Sequence, residues 1–161
     1  MLMSIRVLAV LLVTACTALA QTGAPADRLA GVKTKAEIDA LVAKLRSGEL
    51  QGAQTLFERE NGPYRIYTSF VNARKGAADI HVTDDEIFVI VSGSAQFTLG
   101  GDITDKTLAR ENEYRGTSIM GGVTRPVAAG DIASAPRGTP HQMDPGAGHV
   151  LYIVIKVIGQ K

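Results

Sequence analysis

The 161-residue chain has no tryptophan and one cysteine, Cys16, and aromatic residues make up only 5% of it. A lone thiol rules out an internal disulfide, so packing has to hold the fold. Thiolate catalysis and cysteine-ligated metals are excluded as well wherever the segment holding Cys16 is removed. Neither sign of charge prevails, with 17 basic against 16 acidic side chains. With no basic stripe or run, nucleic acid and anionic membrane surfaces are not expected partners. No apolar run is long enough to span a bilayer as a stable anchor. Internal repeats and low-complexity tracts are absent too, and nothing marks a second domain.

The chain opens with an export signal. Arg6 supplies a positive start, residues 7–13 an apolar stretch, and Ala18-Leu19-Ala20 a small-x-small cleavage site, so 1–20 reads as a signal peptide. Val13-Thr14-Ala15-Cys16 also reads as a lipobox, in which Cys16 would carry a lipid anchor. The first reading expects a periplasmic or secreted protein, the second a lipid-anchored one. Without Arg6, sixteen basic side chains face sixteen acidic ones, a net charge of zero.

Residues 21–33 read as a flexible leader and 34–48 as a helix. Thr34 and Glu37 form a capping box, and Ile38, Leu41, Val42 and Leu45 share one face. Ser47-Gly48 ends the helix, which is expected to pack on the outside of the domain.

From residue 55 onward strands and turns take over. Residues 64–71 are β-branched and aromatic, bounded by Asn61-Gly62-Pro63 and Lys75-Gly76. Residues 87–91 form a nearly continuous apolar run, as a strand buried on both faces would. Ser92-Gly93-Ser94 reads as a turn into a separate strand at 95–99. The polar, glycine-rich stretch 102–126 reads as long loops with one or two short strands. Short strands at 127–129 and 132–135 flank Gly130-Asp131, and 149–158 is the last strand. One helix followed by about seven or eight short strands implies a closed barrel or a sandwich.

The three histidines, His81, His141 and His149, all fall at strand ends. Thr83-Asp84-Asp85 is turn-prone, which predicts a hairpin between its flanks. Alternation puts Asp79 and His81 on one face, and the turn brings Glu86 beside them, with Phe88 and Ile90 as an apolar wall. A carboxylate buried against an imidazole needs a partner, a proton or a cation. His141, at another turn, can complete such a site. His149 reads as a solvated residue at a strand start.

These spacings resemble the two motifs of the cupin superfamily. His81, Glu86 and Gly93 fit the intervals of H-x4-E-x6-G, and Gly130, Pro136, Gly138 and His141 those of G-x5-P-x-G-x2-H. The resemblance covers about residues 60–158. It implies a jelly-roll β-barrel over 55–161 with one N-terminal helix, in which the glycines and the proline serve turns. It also implies that His81, Glu86 and His141 hold a divalent metal ion (Fe, Mn, Zn or Ni). The family's first histidine is replaced by Asp79, able to ligate or to support, its leading glycine by Ala73, and its closing asparagine by Pro145. A metal-dependent enzyme on a small organic substrate is expected, of oxygenase, decarboxylase, isomerase or lyase type. The alternative is a non-catalytic module that binds a metal or small molecule. Tyr67 and Phe88 on strands, and Glu113, Tyr114, Arg115 and Thr117 in the long stretch, are candidate substrate contacts, and the resemblance allows a homodimer.

Overall fold

A computed structural model describes residues 31–58, 62–72 and 74–159 of the protein. The expected signal peptide (1–20), all but the end of the expected leader, and Ala73 lie outside these residues. The helix α1 (Lys35–Ser47) starts and stops as its sequence requires. The Thr34 hydroxyl accepts from the Glu37 backbone N–H at 3.3 Å, while the Glu37 carboxylate accepts from the Thr34 N–H at 2.8 Å. Gly48, at φ 80°, caps the other end in the left-handed region that glycine adopts freely. Val42 and Leu45 are its buried residues. No helix among the described residues is long and apolar enough to cross a membrane.

Twelve strands follow among the described residues: β1 (Gln54–Glu58), β2 (Tyr64–Asn72), β3 (Ala78–His81), β4 (Asp85–Leu99), β5 (Asp102–Thr104), β6 (Thr107–Arg110), β7 (Glu113–Gly116), β8 (Ser118–Met120), β9 (Val123–Ala128), β10 (Ile132–Ala135), β11 (His141–Asp144) and β12 (His149–Val157). One antiparallel face runs β1-β2-β12-β4-β10 and the other β9-β4-β11-β3-β7-β6, so β4 belongs to both. β5 and β8 form a small separate ribbon. This is the expected all-β jelly-roll barrel, with one helix, N-terminal to it, among the described residues.

β4 joins the faces at Gly93. It pairs with β12 and β10 through its first half and with β9 and β11 through its second. Gly93 has φ +76°, and a Cβ there would lie 2.0 Å from the His149 carbonyl oxygen, so only glycine fits the crossing. The motif glycine thus bends one continuous strand instead of turning between two, as 92–94 had suggested. Glu86, Phe88 and Ile90 of β4 face inward and are buried, whereas Ile87 and Val89 are half-buried and Val91 is exposed. The apolar run at 87–91 is therefore a one-sided strand, not one covered on both faces.

The core between the faces is built on Phe88, Ile90, Phe97, Val150 and Val154. Phe88 and Phe97 lie with ring centroids 5.0 Å apart, a tilted contact that aromatic quadrupoles favour. Two further expectations need correction. Residues 102–126 hold β5 to β8 and the start of β9, not mainly loops; β6 is exposed throughout, so no inward alternation betrays it. β3 and β4 do not form a hairpin around Thr83-Asp84-Asp85. β3 lies between β11 and β7, and the turn carries the chain across the barrel to the other face.

Candidate metal centre

The crossing between β3 and β4 is what makes a site. His81 ends β3, and His141 opens β11, where it pairs with Asp79. Opposite them, Glu86 enters from β4. All three side chains are buried, Glu86 at 2% exposure. Their ligand atoms lie within 4.8 Å of one another. Glu86 uses both oxygens: Oε1 lies 3.2 Å from His81 Nε2 and Oε2 3.1 Å from His141 Nε2.

The other ring nitrogens are also engaged. His141 Nδ1 lies 3.1 Å from the Thr139 carbonyl, which can only accept, so Nδ1 carries the hydrogen and Nε2 is turned to Glu86. His81 Nδ1 lies 3.2 Å from Glu113 Oε2. Glu113, on β7 directly across from His81, is buried at 3% exposure. Arg110 Nε donates to Glu113 Oε2 at 2.7 Å, and Arg115 holds its Oε1 at 2.9 Å. Lys156, on β12 across from Glu86, extends its buried Nζ to 3.3 Å from Glu86 Oε1 and 3.1 Å from His81 Nδ1. The Tyr67 hydroxyl donates to Glu86 Oε1 at 2.7 Å.

Burial opposes charge on Glu86, but hydrogen bonds from His141 and His81 outweigh it and hold the carboxyl below its usual range. Glu113 is likewise penalised by burial, yet His81 and Arg110 bring it down to about 2. Burial lowers His81, but the hydrogen-bonding carboxylates of Glu113 and Glu86 prevail and raise it to about 9. Burial, with the charge of Glu86 adding, pushes the Tyr67 hydroxyl far up, so it remains a donor.

The donor set fits a divalent cation. Two imidazoles with their Nδ1 atoms held by outer acceptors, and a carboxylate between their Nε2 atoms, form an ordinary nitrogen–oxygen shell. A carboxylate or carbonyl behind each histidine is what fixes the tautomer and orients the ring toward a metal. Replacing Glu113 by glutamine is therefore expected to weaken metal binding about 10–100-fold, titrated against a chromophoric chelator.

Proton competition gives a second expectation. A metal must displace the His81 proton, so apparent affinity should fall about tenfold per pH unit below about 9. Calorimetry in buffers of different ionisation enthalpy would show one proton released per metal near pH 7. In the metal-free protein the sign is the opposite. The stability that His81 gains from its carboxylates is complete below its unfolded value of about 6.5 and is lost as pH rises through about 9.

The remaining sequence candidates fall in three places. Asp79 lines the same cavity, but its Oδ1 faces Arg115 Nε at 2.8 Å, close enough for an ion pair though not aligned for a hydrogen bond. It stands outside the converging trio. Tyr67, Phe88 and Arg115 line the cavity, with Phe88 edge-on to His141 at 5.6 Å between centroids. Tyr114 does not line it: alternation along β7 turns its ring away from the Glu113 face, and Lys106 lies over it at 5.7 Å. Thr117 is bonded to Thr104 and Asp105 instead. His149 is half-buried against Phe70 and Arg46, away from the trio. Lys156 was missed, although a lysine inside the apolar final strand was a visible signal.

Fold and site together define a small jelly-roll barrel with a buried imidazole–carboxylate centre. No family model matches the chain, and neither does any curated protein. Similar solved structures are cupin or double-stranded β-helix domain proteins. A double-stranded β-helix domain protein of Klebsiella pneumoniae is 16% identical, with 68% of this chain and 77% of that one covered and a TM-score of 0.49. A cupin-2 domain of Rhodospirillum rubrum is 14% identical over 68% and 61%, also with a TM-score of 0.49. The cupin domain of Schizosaccharomyces pombe Cnp3 is 13% identical over 66% and 59%, again with a TM-score of 0.49.

Proposed function

We propose that the protein is an exported, metal-dependent cupin enzyme that acts on a small organic molecule, with His81, Glu86 and His141 as the ligands of a divalent cation. The observation that carries this reading is Glu86, both of whose oxygens face an imidazole Nε2 while the opposite ring nitrogens are tied down. Two imidazoles and one carboxylate suit Fe(II), and Mn, Zn or Ni accept the same donors. Such a cation supplies Lewis acidity at an open coordination position. The chain's own residues do the rest. Glu113 and Lys156 both lie against His81 Nδ1 and orient the ring, Thr139 keeps the hydrogen on His141 Nδ1, and Tyr67 remains a protonated donor on Glu86. A cavity of about 550 Å³ adjoins the trio, with room for a small substrate.

A second reading has an observation of its own. Lys156 already brings a basic group to 3.3 Å from Glu86, which favours a barrel that binds a small molecule without metal or turnover. Product analysis and oxygen uptake with metal-loaded protein, across a panel of small organic acids, separate the two. Turnover that follows metal content supports the enzyme, and binding without product at full loading supports the module.

A further inference from the structure

The wall of this cavity is unevenly charged. Arg65, Arg74, Lys75, Arg110, Arg115 and Lys156 line it, against only Asp79 and Glu86 on the acidic side. The whole chain has 17 basic and 16 acidic side chains, so the excess is local to the cavity. Part of it is already balanced. Arg110 and Arg115 lie on Glu113 and Asp79, Lys156 on Glu86, and Arg65 reaches Thr55 at 2.8 Å and Glu58 at 3.5 Å. Arg74 and Lys75, exposed on the segment between β2 and β3, have no ion-pair partner among the described residues. They are two cations at a cavity with nothing among the described residues to neutralise them. A low-dielectric cleft lined by one sign of charge concentrates ligands of the other.

The cavity also has an apolar side. Phe88, Phe97, Val71 and Met143 line it as well, and all four are buried. An inorganic anion would leave that wall unused, whereas an organic acid uses both surfaces. Guanidinium and ammonium groups at one place match a carboxylate's paired oxygens.

We infer that the ligand is a small organic acid whose carboxylate is held by Arg74 and Lys75 while its carbon body lies on the phenylalanine wall. The inference deepens the proposed function by naming a substrate class, and rests on it for the reacting centre alone; anion recognition does not require the metal.

The test is calorimetry on the mature chain, metal-loaded and metal-free, with malonate and phenylacetate against their neutral amides, malonamide and phenylacetamide. At least one acid should bind about tenfold or more tightly than its amide, and more weakly as salt rises. Arg74→Ser/Lys75→Ser should reduce that preference about tenfold with metal content unchanged, because neither residue touches the ligand set. Preference for the acid in protein that holds no metal upholds this inference while the metal reading fails. Stoichiometric metal with amides bound as tightly as acids, no binding of either acid, or a double variant indistinguishable from the parent overturns it.

Discussion

The double variant His81→Ala/His141→Ala should purify with only trace metal, its affinity reduced by more than about 100-fold. Removing an outer-shell partner alone typically weakens a site 10–100-fold, and here two of three donors are gone. Glu86 would remain, beside Lys156 at 3.3 Å and Tyr67 at 2.7 Å, already satisfied without a cation. The loss should also appear as stability. A ligand at about 1,000 times its dissociation constant adds about 4 kcal/mol to the folded state. For a domain of this size that is a Tm rise on the order of 10–15 °C. The parent should show this rise on metal addition, and the variant should not. Elemental analysis beside thermal unfolding checks both.

The second large effect belongs to Lys156. It is buried, with Nζ 3.3 Å from Glu86, 3.7 Å from Asp84 and 4.0 Å from Glu113. Lys156→Met keeps the apolar stem but leaves two buried carboxylates with one partner fewer. Breaking a buried pair by removing one member costs about 3–5 kcal/mol, because the remaining charge stays desolvated. Urea unfolding of the metal-free variant should show a loss of that order. Saturating metal should restore more stability to the variant than it adds to the parent, because a competing positive group is gone and the incoming cation takes over its task. Affinity for the metal itself should rise about tenfold, which corresponds to about 1.4 kcal/mol. A variant as stable as the parent without metal would mean that Lys156 plays no such part.

How much of this was legible in the chain depends on the kind of signal. The helix was, because Thr34, Glu37 and Gly48 act locally and need no tertiary partner. His81, Glu86 and His141 were, because glycines and a proline at fixed spacing accompany them, and the structure shows why Gly93 is one of these: no Cβ fits beside the His149 carbonyl where β4 bends. What failed was whatever depends on which face a strand joins. Thr83-Asp84-Asp85 looks the same in a hairpin as in a crossing between faces, and only pairing with β7, β11 and β12 decides. β6 was hidden because it is exposed throughout, and the first four residues of β9 because none of them is buried, only its end falling in the expected strand at 127–129. Period-two alternation appears only where one face is covered. Glu113 was legible only as a possible substrate contact in a polar stretch, because its place against His81, between Arg110 at the end of β6 and Arg115 on β7, depends on strand pairing.

Anomalous diffraction from crystals of metal-loaded protein, collected at the edge of the ion found by elemental analysis, is the most direct measurement of the central claim. One peak is predicted inside the barrel, about 2.0–2.2 Å from Nε2 of His81, Nε2 of His141 and an oxygen of Glu86. A peak elsewhere, or none with Glu86 still bonded to both imidazoles, would contradict it.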